Sequence, residues 1–225
     1  IAILQLQLDM LSIRTHTTYP RYEILVINNG NGNQHLTRFL EKEVVRRLDI
    51  PTDTFNFSYL INRAVEHVQT PFVLFLNDDT EVLSNNWLLQ MLGIISLDDH
   101  IGAVGAKLLF SSGQVQHSGV ILGLNDFTAG HANRGLPGDD SGYHNSNRAL
   151  RNFAAVTAAC MLTRTHLFRE VGGFDERNFL IGYNDVDYCL KILAKGFRIV
   201  QTPDALLRHH QGGSRGKTFH PDTEY

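Results

Sequence analysis

Apolar residues along this chain fall into short runs whose spacing switches between two periods, which predicts strands and helices in turn. "YEILVINNG" is a compact apolar strand over Ile24–Ile27 that breaks into an Asn/Gly turn. "TRFLEKEVVRRL" has the spacing of an amphipathic helix. "FSYLINRAVEHV" sets Leu60, Ala64 and Val68 on one helical face, with Ser58 as its N-cap. "PFVLFL" is continuously apolar and predicts a buried strand, and "SNNWLLQMLGII" repeats Leu88, Met91, Leu92 and Ile95 at helical spacing. At the start, "IAIL" predicts a strand stub and "LDMLSIRTHT" a helix. The alternating "LQLQL" leaves the boundary between them open.

The second half changes character. "IGAVGAKLLF-SSG-QVQHSGVIL" reads as two strands around a turn, a β-hairpin. Residues 125–150 are rich in Gly, Asn and Asp, show no period, and predict a long functional or mobile loop. "FAAVTAACMLTR" returns to strand character, and "THLFREVGGF" is a helix closed by Gly172-Gly173. "NDVDYCLKILAKG" is an amphipathic helix with Val186, Cys189, Leu190 and Leu193 inward and Gly196 as its stop. "RIVQTPDALLRHH" holds the last strand. The order of elements predicts one α/β domain over residues 1–225, a mainly parallel central sheet flanked by helices with a small antiparallel hairpin element. In such sheets ligands bind at the carboxyl ends of strands, where both "INNG" and "LNDD" lie.

Composition narrows the classes. Lys and Arg number 20 against 23 Asp and Glu, with no long basic run, so no nucleic-acid partner is indicated. The two cysteines, Cys160 and Cys189, sit in apolar segments and read as buried thiols of a reducing compartment. No apolar run approaches the length of a membrane span. The chain opens abruptly at Ile1 and is expected to be part of a longer protein.

Three clusters could carry chemistry. Asn77-Asp78-Asp79 ends the strand "PFVLFL" on two adjacent carboxylates. Asp and Asn before a helix are good caps, but "LSNN" already supplies cap residues there. Two acids at a strand end also suit a hard divalent cation, which prefers oxygen ligands and bridges to phosphate. "GGFDERNFLIGYNDVDYCLK" holds Asp175, Glu176, Asp185 and Asp187. Asp185 is either a first-turn acid favoured by the helix dipole or a general base at a helix mouth. "RHHQGGSRG" offers His209 and His210 as metal ligands, and Arg215 as a phosphate partner.

Taken in order, "YEILVINNG", "FLNDDTEV", "GAKLLFSSGQVQHSGVILG", "AAVTAACMLTR", "VGGFDE", "YNDVDYCLK" and "RHHQGGSRG" strongly resemble bacterial family 2 glycosyltransferases, from about residue 12 to 216. The resemblance implies the GT-A (nucleotide-diphospho-sugar transferase) fold and an inverting, Mn2+- or Mg2+-dependent transfer of a hexosyl or deoxyhexosyl group. The donor would be a nucleotide-sugar and the acceptor a carbohydrate or lipid-linked glycan, in surface polysaccharide synthesis. Residues 1–100 would form the nucleotide-sugar-binding half and 101–225 the acceptor and catalytic half. Asn77-Asp78-Asp79 looks like the DXD motif with Asn in first place. Asp79 matches its metal ligand, and Asn77 and Asp78 would lie near ribose and diphosphate. Asp185 of "NDVD" matches the catalytic base, with Asn184 where Glu is frequent. His209 matches the metal-ligating histidine, with His210 as the other register. Asn28 and Asn29 match the nucleotide-binding strand end, where Asn28 replaces the usual Asp, and Arg63 would face the nucleotide. The loop 125–150 would lie over the acceptor side and order on binding.

The family's opening strand and nucleotide-touching loop are not recognisable in "IAIL…QLQLDML", which fits a chain incomplete at that end. The resemblance places the domain in the cytoplasm, with any peripheral membrane association, at the inner face, made by regions outside the chain. The rival readings are a nucleotidyltransferase that makes nucleotide-sugars and a non-catalytic carbohydrate- or partner-binding module. The first should carry a Gly-rich basic phosphate loop near its start, and none is visible. Joint retention of Asp79, Asp185 and His209 argues against the second.

Overall fold

The computed structural model describes residues 3–30, 34–43, 45–124 and 128–210. Its helices are α1 (Ile3–His16), α2 (Gln34–Lys42), α3 (Phe57–Glu66), α4 (Trp87–Leu97), α5 (Thr165–Glu170) and α6 (Asn184–Ala194). Its strands are β1 (Leu25–Asn28), β2 (Arg46–Asp49), β3 (Phe72–Leu76), β4 (Thr80–Val82), β5 (Ile101–Leu109), β6 (Val115–His117), β7 (Val120–Leu122), β8 (Ala129–His131), β9 (Arg151–Phe153), β10 (Cys160–Arg164) and β11 (Arg198–His209).

The central sheet runs β3-β10-β5-β11-β4, with β6 added beside β5 and β9 beside β11. β1 pairs with β2, parallel, in a separate two-stranded sheet, and β7 with β8 in another. Strand direction departs from expectation. In the central sheet β5 and β11 are parallel, while β10 runs antiparallel to both β3 and β5, and β11 antiparallel to β4 and β9. The sheet is therefore mixed rather than mainly parallel. A strand buried on both faces reads as a continuous apolar run in either direction, so the pattern carries no sign for it.

Three local expectations are also corrected. Ile3 and Leu4 belong to α1 rather than to a strand stub. The helix expected over "TRFLEKEVVRRL" ends at Lys42, and Arg46–Asp49 pairs residue for residue with β1 as β2. Backbone pairing outweighs the modest helical preference of that segment. The N-cap of α3 is Asn56, whose side chain accepts from Tyr59 N at 2.9 Å, while the Ser58 hydroxyl donates to Phe179 O.

Side chains alternate across the sheet and build two cores. On β3, Val73 and Phe75 face a cluster with Phe168, Phe174 and Tyr188, covered by α3, α5 and α6. Phe72, Leu74 and Leu76 face the opposite cluster around Trp87, Met91 and Ile95 of α4. All nine residues of β5 are buried, as a central strand between two cores requires. Within β5, Gly105 is a close-approach position: a Cβ there would lie 2.4 Å from Cβ of Val156. Leu190 of α6 turns outward at 40% exposure. Tyr188 and Ile192 take the inward face instead. Cys160 and Cys189 are free, buried thiols, and burial pushes both pKa values up.

Candidate active site

The carboxyl end of β3 continues into a tight turn. Asn77 N donates to Ala159 O at 3.0 Å, and the Thr80 hydroxyl donates to Asn77 O at 2.7 Å. The chain reverses into β4, which pairs with the far end of β11 so that Thr80 lies opposite His209 and Glu81 opposite Arg208. This pairing delivers His209 to the Asp turn across 132 residues of sequence from Asn77. Nε2 of His209 lies 3.0 Å from Asp79 Oδ1 and 3.2 Å from Asn77 Nδ2. His210 turns away: its Nδ1 meets Ser111 Oγ at 3.1 Å and its Nε2 lies 3.4 Å from Glu81, while its backbone N–H donates to Asp79 O. Of the two histidines, it is His209 whose imidazole faces Asp79.

The two carboxyls of the turn are pushed in opposite directions. Asp78 keeps accessible surface yet is crowded by protein on most sides. Desolvation and then the neighbouring Asp79 charge raise its pKa. For Asp79, desolvation works upward, but the His209 contact and charge overcome it and hold the carboxyl below its ordinary value. Asp79 Oδ1 is nonetheless buried without an aligned hydrogen bond, despite Nε2 at 3.0 Å. The geometry is that of two groups converging on a shared position without bonding to each other. A carboxylate and an imidazole meeting in this way suit a divalent cation such as Mn2+. Among the described residues no group of three or more His, Cys, Asp and Glu could hold a metal, so two protein ligands would leave most positions to substrate oxygens and water.

Asp185 opens α6 and is buried, at 4% exposure. Its Oδ1 accepts from Val186 N at 2.8 Å and its Oδ2 from Ala158 N at 3.0 Å. The 158–159 segment thus links the two clusters, because Ala159 O also accepts from Asn77. Asn184 donates to Ser58 Oγ and Ile181 O, which ties the start of α6 to α3. Asp187 pairs with Lys191 at 2.7 Å.

Other expected residues make their contacts elsewhere. The Asn28 amide donates to Asp49 at 2.5 Å at the end of the β1–β2 pair, and Asn29 O accepts from Thr52 N at 3.4 Å. Arg63 on α3 pairs with Glu66 at 2.9 Å and Glu176 at 3.8 Å and lies over the Tyr59 ring. Arg215 lies outside the described residues.

Several buried polar residues were not among the candidates expected from the sequence. Gln116 is 3% exposed and its Oε1 lies 2.8 Å from His209 Nδ1. His117 is buried beside it, with its Nδ1 2.7 Å from Nδ1 of His131. Lys107 is 4% exposed and donates from Nζ to Gly138 O at 2.8 Å and Asn147 O at 3.2 Å. Polar letters inside the apolar runs "GAKLLF" and "QVQHSGV" were the available hint. The long loop is accordingly well tied over residues 128–150. β8 pairs with β7, Ser118 donates to Ala132 O, and Asn147 donates to Asp140 O.

The fold is a mixed α/β domain whose acidic strand end meets a histidine, and comparison with known proteins assigns the lineage. Residues 2–220 match the family described as "Glycosyltransferase like family 2", and the chain belongs to that family. It is 37% identical over 216 residues to uncharacterized protein y4gI of Sinorhizobium fredii, covering 94% of this chain and 23% of that protein. It is 36% identical over 217 residues to O-antigen biosynthesis protein RfbC of Myxococcus xanthus, covering 95% and 17%. The chain thus spans about a fifth of the length of these curated relatives. Among solved structures, it resembles GalNAc-T7 with UDP, GalNAc and Mn2+, with a TM-score of 0.71 at 13% identity over 93% of this chain and 41% of that one. It also resembles mannosyltransferase PcManGT of Pyrobaculum calidifontis with GDP-Man and Mn2+, with a TM-score of 0.64 at 16% identity over 95% and 55%. These two likenesses establish the GT-A fold.

Proposed function

We propose that this chain is the catalytic domain of an inverting glycosyltransferase. It would move a hexosyl or deoxyhexosyl group from a nucleotide-diphospho-sugar to a hydroxyl of a carbohydrate or lipid-linked glycan, in surface polysaccharide synthesis. The observation that carries the reading is the convergence of Asp79 and His209 at the carboxyl end of β3, in a chain of this family. The RfbC relative supports the polysaccharide destination. The buried free thiols support a cytoplasmic setting. No helix among the described residues is long and apolar enough to cross a membrane.

The donor would lie across the strand ends, with Asn77 and Asp78 at its diphosphate and ribose, and Asn28, Asn29 and Arg63 on the nucleotide side. Mn2+ or Mg2+ held by Asp79 and His209 would offset the charge that grows on the departing diphosphate. Asp185 takes the proton from the acceptor hydroxyl. The oxygen attacks the anomeric carbon from the face opposite the diphosphate, the carbon–oxygen bond to the diphosphate breaks with its electron pair leaving on phosphate, and the configuration inverts. Two backbone N–H groups hold the Asp185 carboxylate in a single orientation.

The test is donor turnover with a panel of nucleotide-sugars and Mn2+, comparing the parent with Asp79→Ala. The expected result is Mn2+-dependent release of nucleoside diphosphate by the parent, with both metal dependence and donor binding weakened in the variant. A variant whose Mn2+ titration matches the parent overturns the metal role. Pyrophosphate as the product points to a nucleotidyltransferase, and no donor binding at all to a non-catalytic module.

A further inference from the structure

We infer that Gln116 is the positioning residue that holds His209 in its Nδ1–H tautomer, so that Nε2 faces Asp79 as a metal-binding lone pair. The inference rests on the metal reading of Asp79 and His209 given above. Neutral imidazole carries one proton, and the hydrogen bond made by one nitrogen decides what the other can do. Gln116 Oε1 is an acceptor, so at 2.8 Å it requires the hydrogen on Nδ1 of His209. Nε2 is then left with its lone pair. Two further contacts bear on it: the Asn77 amide donates to Nε2 at 3.2 Å, which an Nε2–H tautomer would not accept, and Asp79 Oδ1, though 3.0 Å away, receives no aligned hydrogen bond from it.

Backbone geometry puts Gln116 there. In the β5–β6 ladder Leu108 faces His117, but Leu109 faces Val115, so Gln116 is the extra residue of a β-bulge. Bulges re-aim a side chain beside a functional site. Here the bulge buries Gln116 together with its neighbours Val115, His117 and Ser118. Gln116 also leaves its own Nε2 buried without a hydrogen-bond partner. An amide kept in the interior with one end unpaired is costly, and an apolar residue of the same length would avoid it. The oxygen end is therefore the part of Gln116 with a task, and that task is the imidazole of His209.

The experiment combines two readouts on the full chain. The first is 15N NMR of histidine-labelled, metal-free protein at about pH 8.5, two units above the ordinary histidine pKa. His209 is assigned by loss of its signals in His209→Asn. The expected spectrum shows a protonated Nδ1 and an unprotonated Nε2 in the parent and in Gln116→Glu, which keeps the acceptor. Gln116→Met should lose that tautomer preference. The second readout is Mn2+ affinity followed by the EPR signal of free Mn2+. Gln116→Met should bind about 10–100-fold more weakly, as loss of a hydrogen-bond partner behind a metal ligand typically does. Gln116→Glu should stay near the parent, and thermal melts should show all variants folded. A parent with the Nε2–H tautomer, or a folded Gln116→Met with parental Mn2+ affinity, overturns the role of Gln116 and leaves the metal site standing. A parent that binds no Mn2+ overturns the metal site itself, whatever the tautomer.

Discussion

The His117–His131 pair, with His117 buried and His131 half-buried, should make this protein acid-labile. His117 Nε2 accepts from Gly119 N at 3.3 Å and Thr157 N at 3.4 Å, so its hydrogen must sit on Nδ1. That hydrogen points at Nδ1 of His131, 2.7 Å away, which must accept it. A proton added to Nδ1 of His131 would face the one on His117, and a proton on Nε2 of His117 would face two backbone N–H groups. Burial, then the His131 and His209 charges, hold the pKa of His117 well below its ordinary value. Burial, then the Arg134 and His209 charges, lower that of His131 from 6.5 to about 3. Below pH 6.5 the unfolded chain gains protons that the folded chain refuses. Stability contributed by the neutral pair is therefore present above pH 6.5 and is lost as pH falls toward 3. At pH 5, one and a half units below the unfolded value, His131 costs about 2 kcal/mol, and His117 acts in the same direction. Such a loss is a substantial share of the ~5–15 kcal/mol that holds a typical domain together. The assay is urea unfolding of the parent and of His131→Asn at pH 7 and pH 5. Asn offers an acceptor to His117 but does not titrate. The variant should lose about 2 kcal/mol less than the parent between the two pH values. Equal losses would refute the reasoning.

Asp185→Asn keeps the size and removes the proton acceptor, but turns its amide nitrogen onto one of the two backbone N–H donors. In a variant shown folded by thermal melt and still binding donor, turnover should fall about 10²–10⁴-fold, read by steady-state kinetics and donor titration. Comparable turnover would remove Asp185 from the mechanism. Gly105→Ala should destabilise by about 1–3 kcal/mol in denaturant melts, because its Cβ would overlap Val156. Adding Val156→Ala should recover part of that loss, and no recovery would place the strain elsewhere. Lys107→Met removes the donor that ties Gly138 O and Asn147 O to β5. It should cost about 1.5–3 kcal/mol and speed limited proteolysis between residues 128 and 150. An unchanged cleavage rate would show that the other hydrogen bonds of the loop suffice.

Much of the site was legible because its parts are local. An apolar strand running into Asn77-Asp78-Asp79 is visible within a few residues, as is the polar start of α6 at Asn184 and Asp185. The periods that announced α3, α4 and α6 reflect neighbours three or four positions apart, which any helix brings together. The segment Arg46–Asp49 was misread for the same reason: its helical spacing is real, but β1 across the sheet claimed its backbone.

What the sequence by itself determined is the set of elements, the acids at the end of β3, and membership of a lineage through ordered motifs. Tertiary structure alone decided which groups meet. Pairing of His209 with Thr80 chose between two adjacent histidines, because a slip of one residue turns every side chain of a strand to the other face. A single bulge brought Gln116 behind that histidine, and β10 entered antiparallel between β3 and β5. Such choices depend on contacts between segments distant in the chain, the farthest being the pairing of Thr80 with His209. Their energies come from filling two cores on opposite faces of one sheet, and no local pattern of letters carries that information.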